Sequence, residues 1–177
     1  MGPIKVMLVD DHAVVRMGFK LLLAACEDIE VVGEADSGET AYVRYAELKP
    51  DVVVMDLSMP GMGGIEAVRR LTARDKGVRI LALSAHEDTA HPKRVLKAGA
   101  TGYLSKRGAP EALIDAVRTV ASGRMYLDAE IAQKLAMQDV TGAQNPVEAL
   151  SEREFEVFIH LARGQSVNQI AETLHLS

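Results

Sequence analysis

Cysteine is nearly absent from these 177 residues: only Cys26 occurs, so no disulfide can form within the chain and a reducing compartment is expected. Cys26 lies near the end of a helix-like apolar stretch, where a structural thiol is expected. No apolar run reaches the ~18 to 20 residues of a membrane helix. The opening "MGPIKV" lacks the basic region and apolar core of a signal peptide and the Ser or Thr of a myristoylation signal. A cytoplasmic protein with no membrane partner is the expectation. Positive charge is also short. The net charge of −5 gives no global attraction to nucleic acid, so any such partner needs a local basic patch. No internal repeat is present.

What is present is a 48% hydrophobic chain, enough for one full domain and part of another. Short apolar runs alternate with helix-length amphipathic segments. Strands are predicted at Ile4–Val9, Val31–Ala35, Val52–Met55, Arg79–Leu83 and Gly102–Leu104. "VVVM" and "ILAL" are continuous rather than alternating, as strands covered on both faces are. Helices are predicted at Ala13–Ala25, with Val14, Gly18, Leu21, Leu22 and Ala25 at helical spacing, and from Ser37 as a cap to about Leu48. Others follow at Gly64–Ala73, at Thr89–Ala98 and at Pro110–Ser122. Five βα units in a row imply an α/β fold: a doubly wound, five-stranded parallel sheet of order 2-1-3-4-5.

After Gly123 the pattern changes. Asp128–Met137 reads as one more helix, and the polar, turn-rich "QDVTGAQNP" as a linker from Gln138 to about Ala149. Then "LSEREFEVFIHLARG" opens with a capping box, Ser151 with Glu154. "SVNQIAETLHLS" opens with a second, Ser166 with Gln169. Two short helices joined by a Gly-containing turn suggest an all-α DNA-binding fold. The expected division is 1–124, 125–149 and 150–177.

Ligands of such sheets bind beyond the carboxyl ends of the strands, near the switch in strand order. Those ends carry Asp10 and Asp11, then Asp56, Ser84 and Lys106. The first and third strands are neighbours, so three carboxylates converge, which is costly unless a cation joins them. Hard oxygen donors suit Mg²⁺. Lys106 would act as a point charge on phosphoryl oxygens, Ser84 as a hydrogen-bond donor and Asp56 as a carboxylate nucleophile. Taken singly, Asp10 or Asp11 could cap a helix, and Ser84 and Lys106 could be a turn residue and a solvated lysine. "PGMGG" lacks the GK[ST] ending of a phosphate loop and reads as a turn. Asp56 is expected to be the first residue clear of the core. His12, His86 and His91 lie near the rim in sequence, with His12 expected to point onto the exposed start of the first helix.

"MLVDDH", "DVVVMDLSMPGMGG", "ILALSAH" and "KAGATGYLSK" resemble the signature blocks of two-component response-regulator receiver domains, over about Ile4 to Ser122. The resemblance implies that Asp56 accepts a phosphoryl group from a sensor histidine kinase or a histidine phosphotransfer domain. It implies Mg²⁺ held by Asp11, by Asp56, by Asp10 through water and by the backbone carbonyl of Ser58. It makes Ser84 and Tyr103 a switch pair. Two departures stand out: Ser84 replaces the more usual Thr, and Arg107 follows Lys106 where a proline is common, so no cis-proline is expected.

"ALSEREFEVFIHLARGQSVNQIAETLHLS" is similar to the opening of the LuxR-type helix-turn-helix of NarL/FixJ-class regulators. "YLDAEIAQKLA" and "LSERE" point to the GacA/UvrY subgroup, which implies transcription regulation and a homodimer through the receiver. A recognition helix would have to follow Ser177, so DNA binding is expected of a longer parent protein and not of this chain. Segment 151–177 carries Arg153 and Arg163 against Glu152, Glu154, Glu156 and Glu172. The helix pair would leave Val157, Phe158, Leu161 and Ile170 to be covered, by the receiver or by a second chain, or else be disordered. The chain is expected not to be an enzyme. The rival readings are an aspartyl-phosphate hydrolase, which would want a carboxylate where Ser58 stands, and a pseudo-receiver that binds without phosphorylation.

Overall fold

Val6, Met7, Leu8 and Val9 are all but inaccessible, as are Val52 to Met55. Strands without an exposed face need helices on both sides, and the computed structural model provides them. It describes residues 2–85, 90–142 and 146–175. His86, Thr89 and Ser177 therefore lie outside the described residues.

The order is β1 (Ile4–Val9), α1 (Ala13–Ala24), β2 (Ile29–Ala35), α2 (Gly38–Leu48), β3 (Val52–Asp56), α3 (Gly64–Arg74), β4 (Ile80–Ser84), α4 (Ala90–Ala98), β5 (Gly102–Ser105), α5 (Pro110–Ala121), β6 (Tyr126–Leu127) and α6 (Ala129–Thr141). A 3-10 turn at Pro146–Ala149 then leads to α7 (Glu152–Ala162) and α8 (Val167–Thr173). The strands run in the order 2-1-3-4-5-6, each neighbouring pair parallel. The expected 2-1-3-4-5 order is thus present, with β6 added beside β5. Two residues are too few to show a period, which is why β6 has no sequence signal.

Two apolar clusters sandwich the sheet. One joins Met7, Val53, Ile80 and Tyr103 to α3 and α4, and the other joins Leu8, Val54 and Leu81 to Leu23 of α1 and to α5. On α1 the buried residue is Leu23, while Val14 and Leu21 are 85% and 68% exposed. The apolar spacing there marks an exposed stripe rather than a core face. Both expected capping boxes, Ser151 with Glu154 and Ser166 with Gln169, are formed, and the Ser37 hydroxyl caps α2 by accepting from Thr40 N.

The linker is shorter than its composition suggests. α6 runs on to Thr141 and its Ile131 joins the first cluster. Asp128 precedes α6 without capping it, and its carboxylate accepts from Ser105 N at 2.7 Å.

Gly64, the first residue of α3, is where that helix meets the end of β3. A Cβ there would lie 2.5 Å from Leu57 Cα and against the Asp56 carbonyl, both backbone. Gly18 has open space around its Cβ position. Gly64→Ala is expected to destabilise the fold by about 1–3 kcal/mol. Gly18→Ala should be neutral or gain up to roughly 1 kcal/mol from helix propensity. Chemical denaturation of the two variants checks the pair.

Candidate functional site

The parallel register delivers the acidic residues to one end of the sheet. Val9 pairs with Met55, so Asp10 leaves β1 beside Asp56 at the end of β3. Asp56 pairs with Leu83, placing Ser84 one step further along β4, and Ser84 pairs with Ser105, directly before Lys106. Backbone bonds continue past the strand ends, from Leu57 N to Leu83 O (3.0 Å) and from Lys106 N to Ser84 O (2.8 Å). Ligand atoms of Asp10, Asp11, His12 and Asp56 come within 4.8 Å of one another.

Contrary to the expectation from sequence, Asp56 is not clear of the core. It is the last residue of β3 and only 1% exposed. Its Oδ1 accepts from Ser58 N at 3.1 Å and faces Lys106 Nζ at 3.1 Å. Its Oδ2 is buried and accepts no hydrogen bond, and the same holds for Asp11 Oδ1. Burial pushes the Asp56 carboxyl above its ordinary pKa. The Lys106 charge pulls the other way, and Asp10 adds repulsion. Lys106 also donates to Asp10 Oδ2 at 2.7 Å. Burial alone would depress this ammonium, but the hydrogen bond it donates to Asp10 and the charges of Asp56 and Asp10 hold it above its ordinary value.

One ammonium facing three carboxylates leaves the site anionic. Two orphaned carboxylate oxygens and a compact set of hard donors fit a divalent cation. Arg16 fixes the turn that carries Asp10 and Asp11, donating to the Asp10 carbonyl at 2.5 Å and to Glu34 at 3.3 Å. Ser84 and Tyr103 are both completely buried on neighbouring strands.

His12 stands at the exposed start of α1 as expected, as its N-cap residue with a side chain 65% exposed, but its Nδ1 also turns back over the cluster, 3.2 Å from Asp10 Oδ1 and 3.1 Å from Asp11 Oδ1. His91 lines a cavity beside Asp11 and Ser58. It is buried on α4, its ring edge-on to Phe155 with centroids 4.7 Å apart.

That contact belongs to a feature sequence reasoning left open: the helix pair lies docked on the sheet domain, over the end that carries the acidic residues. Phe155, the first apolar residue of α7, is 1% exposed and joins the sheet's core cluster. Arg94 of α4 donates to the carbonyls of Val147 and Leu150, both at 2.7 Å, and its guanidinium lies 4.2 Å from the Phe155 ring centroid. Lys93 pairs with Glu148 at 2.9 Å. Gly61 N, in the β3–α3 turn, donates to Thr173 O at 3.0 Å. Between the two parts is a cavity of about 310 Å³ lined by Asp11, Ser58, Met59, Phe155 and His160, among others. Ile170 is buried as its apolar character suggested, but Phe158 and Leu161 are 41% and 50% exposed. The residue that anchors the pair, Phe155, carries no signal in sequence that sets it apart from Phe158.

Two family models match: "Response regulator receiver domain" over residues 6–118 and "Bacterial regulatory proteins, luxR family" over residues 148–177. Response regulator UvrY of Escherichia coli K12 is 43% identical over 98% of this chain and 81% of its own length. A LuxR-family two-component response regulator from Aurantimonas sp. SI85-9A1 superposes with a TM-score of 0.76 at 40% identity, covering 78% of this chain and 99% of that one. RcsB from Salmonella enterica serovar Typhimurium, solved bound to the promoter rprA with the phosphomimetic BeF3-, matches at 27% identity and a TM-score of 0.75. It covers 99% of this chain and 85% of that one.

Arg94 is the polar centre of the docked interface. Arg94→Ala is expected to make the α7 amides exchange at least about tenfold faster, because two charge-assisted hydrogen bonds and the stacking on Phe155 are lost. The amides of β3 and β4 should be unaffected. Hydrogen exchange resolved to these segments checks it, and unchanged α7 protection would show that docking does not depend on Arg94.

Proposed function

The chain is a two-component response regulator, a receiver domain followed by a LuxR-type DNA-binding segment, and on that premise we propose that Asp56 is its phosphoacceptor, charged by the phosphohistidine of a sensor kinase or phosphotransfer domain. The observation that carries this reading is Asp56 itself: a carboxylate at a strand end, 1% exposed, with one oxygen held by Lys106 and Ser58 N and the other without a partner.

In the reaction a carboxylate oxygen of Asp56 attacks phosphorus in line, and the bond from phosphorus to the donor nitrogen breaks. Lys106, already positioned between Asp10 and Asp56, neutralises charge on the transferred oxygens. The Ser58 amide fixes the rotamer of the attacking carboxylate. Mg²⁺, held by Asp11, Asp56, the Ser58 carbonyl and Asp10 through water, would supply further charge neutralisation when bound. Ser84 would then donate to the phosphoryl group and Tyr103 would respond as the second member of a switch pair.

The receiver would occupy residues 1–124, a helix and linker 125–149, and the helix-turn-helix segment 150–177. The docked helix pair is what phosphorylation would act on, since Asp11 and Ser58 share a cavity with Phe155 and His160. DNA is the expected partner of the helix pair. In the docked form it would bind weakly, with two arginines against four glutamates over 151–177 and Phe155 turned away from solvent. A cytoplasmic homodimer fits this role. Among the described residues, no helix is long and apolar enough to cross a membrane.

The hydrolase reading would need an acid/base two residues after the nucleophile. Ser58 stands there, and its backbone N–H rather than a carboxylate meets Asp56. Incubation with a small phosphodonor and Mg²⁺, followed by intact mass, is the test. A lasting adduct of one phosphoryl group, absent in Asp56→Asn, is expected. Rapid turnover of the donor without accumulation would favour the hydrolase, and no adduct in the unaltered chain would favour the pseudo-receiver.

A further inference from the structure

We propose that His12 is a fourth ligand at the acidic cluster and makes this a mixed nitrogen and oxygen site that takes a borderline divalent cation such as Zn²⁺ more tightly than Mg²⁺. The inference rests on the reading of Asp10, Asp11 and Asp56 as a cation site.

The turn after β1 holds the ring over the cluster. His12 N donates to Asp10 Oδ1 at 2.8 Å, which folds the residue back on its neighbour. Nδ1 then stands 3.1 Å from Asp11 Oδ1 and 3.2 Å from Asp10 Oδ1. Nδ1 is at hydrogen-bond distance from Asp10 Oδ1, and in the tautomer with the proton on Nε2 the same nitrogen presents its lone pair beside two carboxylate oxygens, as a metal ligand does. Asp56 Oδ2 is a second, independent pointer. It is buried, without a hydrogen bond, and part of the group whose ligand atoms fall within 4.8 Å of each other. Two ligands of one ion at ~2.0–2.2 Å lie at most about 4.4 Å apart, a limit that the 3.1 and 3.2 Å separations of His12 Nδ1 from the carboxylate oxygens meet.

Donor type decides which ion gains. Mg²⁺ takes oxygen ligands and dehydrates reluctantly, so an imidazole adds little to its binding. Zn²⁺ accepts imidazole nitrogen and carboxylate oxygen together, and first-row affinity rises toward Cu²⁺ and Zn²⁺ for such a set. His12 is 65% exposed at the side chain, so its ring reaches the cluster without any core rearrangement, and replacing it disturbs no packing. The two ions compete for the same carboxylates. The acceptor site is therefore open to a competing transition-metal ion through one residue that phosphoryl transfer does not use.

The test is metal affinity, measured with the metal alone by competition against a chromophoric chelator, on the whole chain and its variants. His12→Gln is expected to weaken Zn²⁺ binding at least about tenfold, a lower bound taken from losses of metal-site partners generally, and to change Mg²⁺ binding less than twofold. Asp11→Asn should weaken both ions, and His160→Ala neither. With Cu²⁺ as the probe, nitrogen hyperfine splitting in the electron paramagnetic resonance spectrum should disappear in His12→Gln. Zn²⁺ affinity unchanged in His12→Gln, or Zn²⁺ and Mg²⁺ weakened equally, overturns the proposal while the cation site stands. Failure of the unaltered chain to bind Mg²⁺ overturns the underlying reading instead.

Discussion

A single ammonium set among three carboxylates is the interaction on which the rest depends. Lys106 reaches Asp10 at 2.7 Å and Asp56 at 3.1 Å, from the end of β5 across β4 to the ends of β3 and β1. Taking charges out of water costs several kcal/mol per ion, and pairing recovers this only where geometry is good and remaining lone pairs are met. Here they are not all met. The orphaned oxygens of Asp11 and Asp56 keep the cluster electrostatically incomplete, and the parallel register holds it so. The sheet's own stability comes from elsewhere, from two apolar layers that bury β1, β3 and β4 on both faces. That division lets a strained group of anions persist at one edge: the core supplies the stability, and the edge keeps a site ready to accept positive charge.

The α/β alternation and the sheet order were readable because continuous apolar runs and capped amphipathic helices are strong, local signals. The acidic site was readable for a related reason. Strand ends in a parallel sheet are predictable from the runs, so Asp10, Asp56, Ser84 and Lys106 could be placed without coordinates. What escaped depends on context rather than pattern. Asp56 was placed one step outside the core because a carboxylate after four apolar residues reads as a boundary, yet β3 keeps its pairing with Leu83 through that residue. On α1, the apolar spacing identifies the helix but not its buried side, since periodicity shows that a stripe exists and not what covers it, and Leu23 is the buried residue. His12 could not be oriented, because the Asp10 side chain that folds it back is a tertiary detail of one turn.

The docking of the helix pair was the least legible element. Phe155 and Phe158 sit on one short helix with the same residue type, and one is buried while the other is 41% exposed. The choice is made by α4, a distant segment, through Arg94 and His91. Arg94 does more than stack: by holding the carbonyls of Val147 and Leu150 it ends the 3-10 turn in an orientation that aims α7 at the sheet. The output segment is therefore positioned before any signal arrives. Its anchor helix, α4, follows the strand that ends in Ser84.

The hydrogen bond from Gly61 N to Thr173 O ties the turn after β3 to the end of α8. A ligand at the acidic cluster and the docked helix pair would thus share one short piece of backbone. Thermodynamic reciprocity makes their coupling symmetric: a ligand that reshapes this turn loosens the helix pair by as much as the docked pair resists that ligand. A mutation on α8 is therefore expected to alter the turn beside Asp56 without touching it.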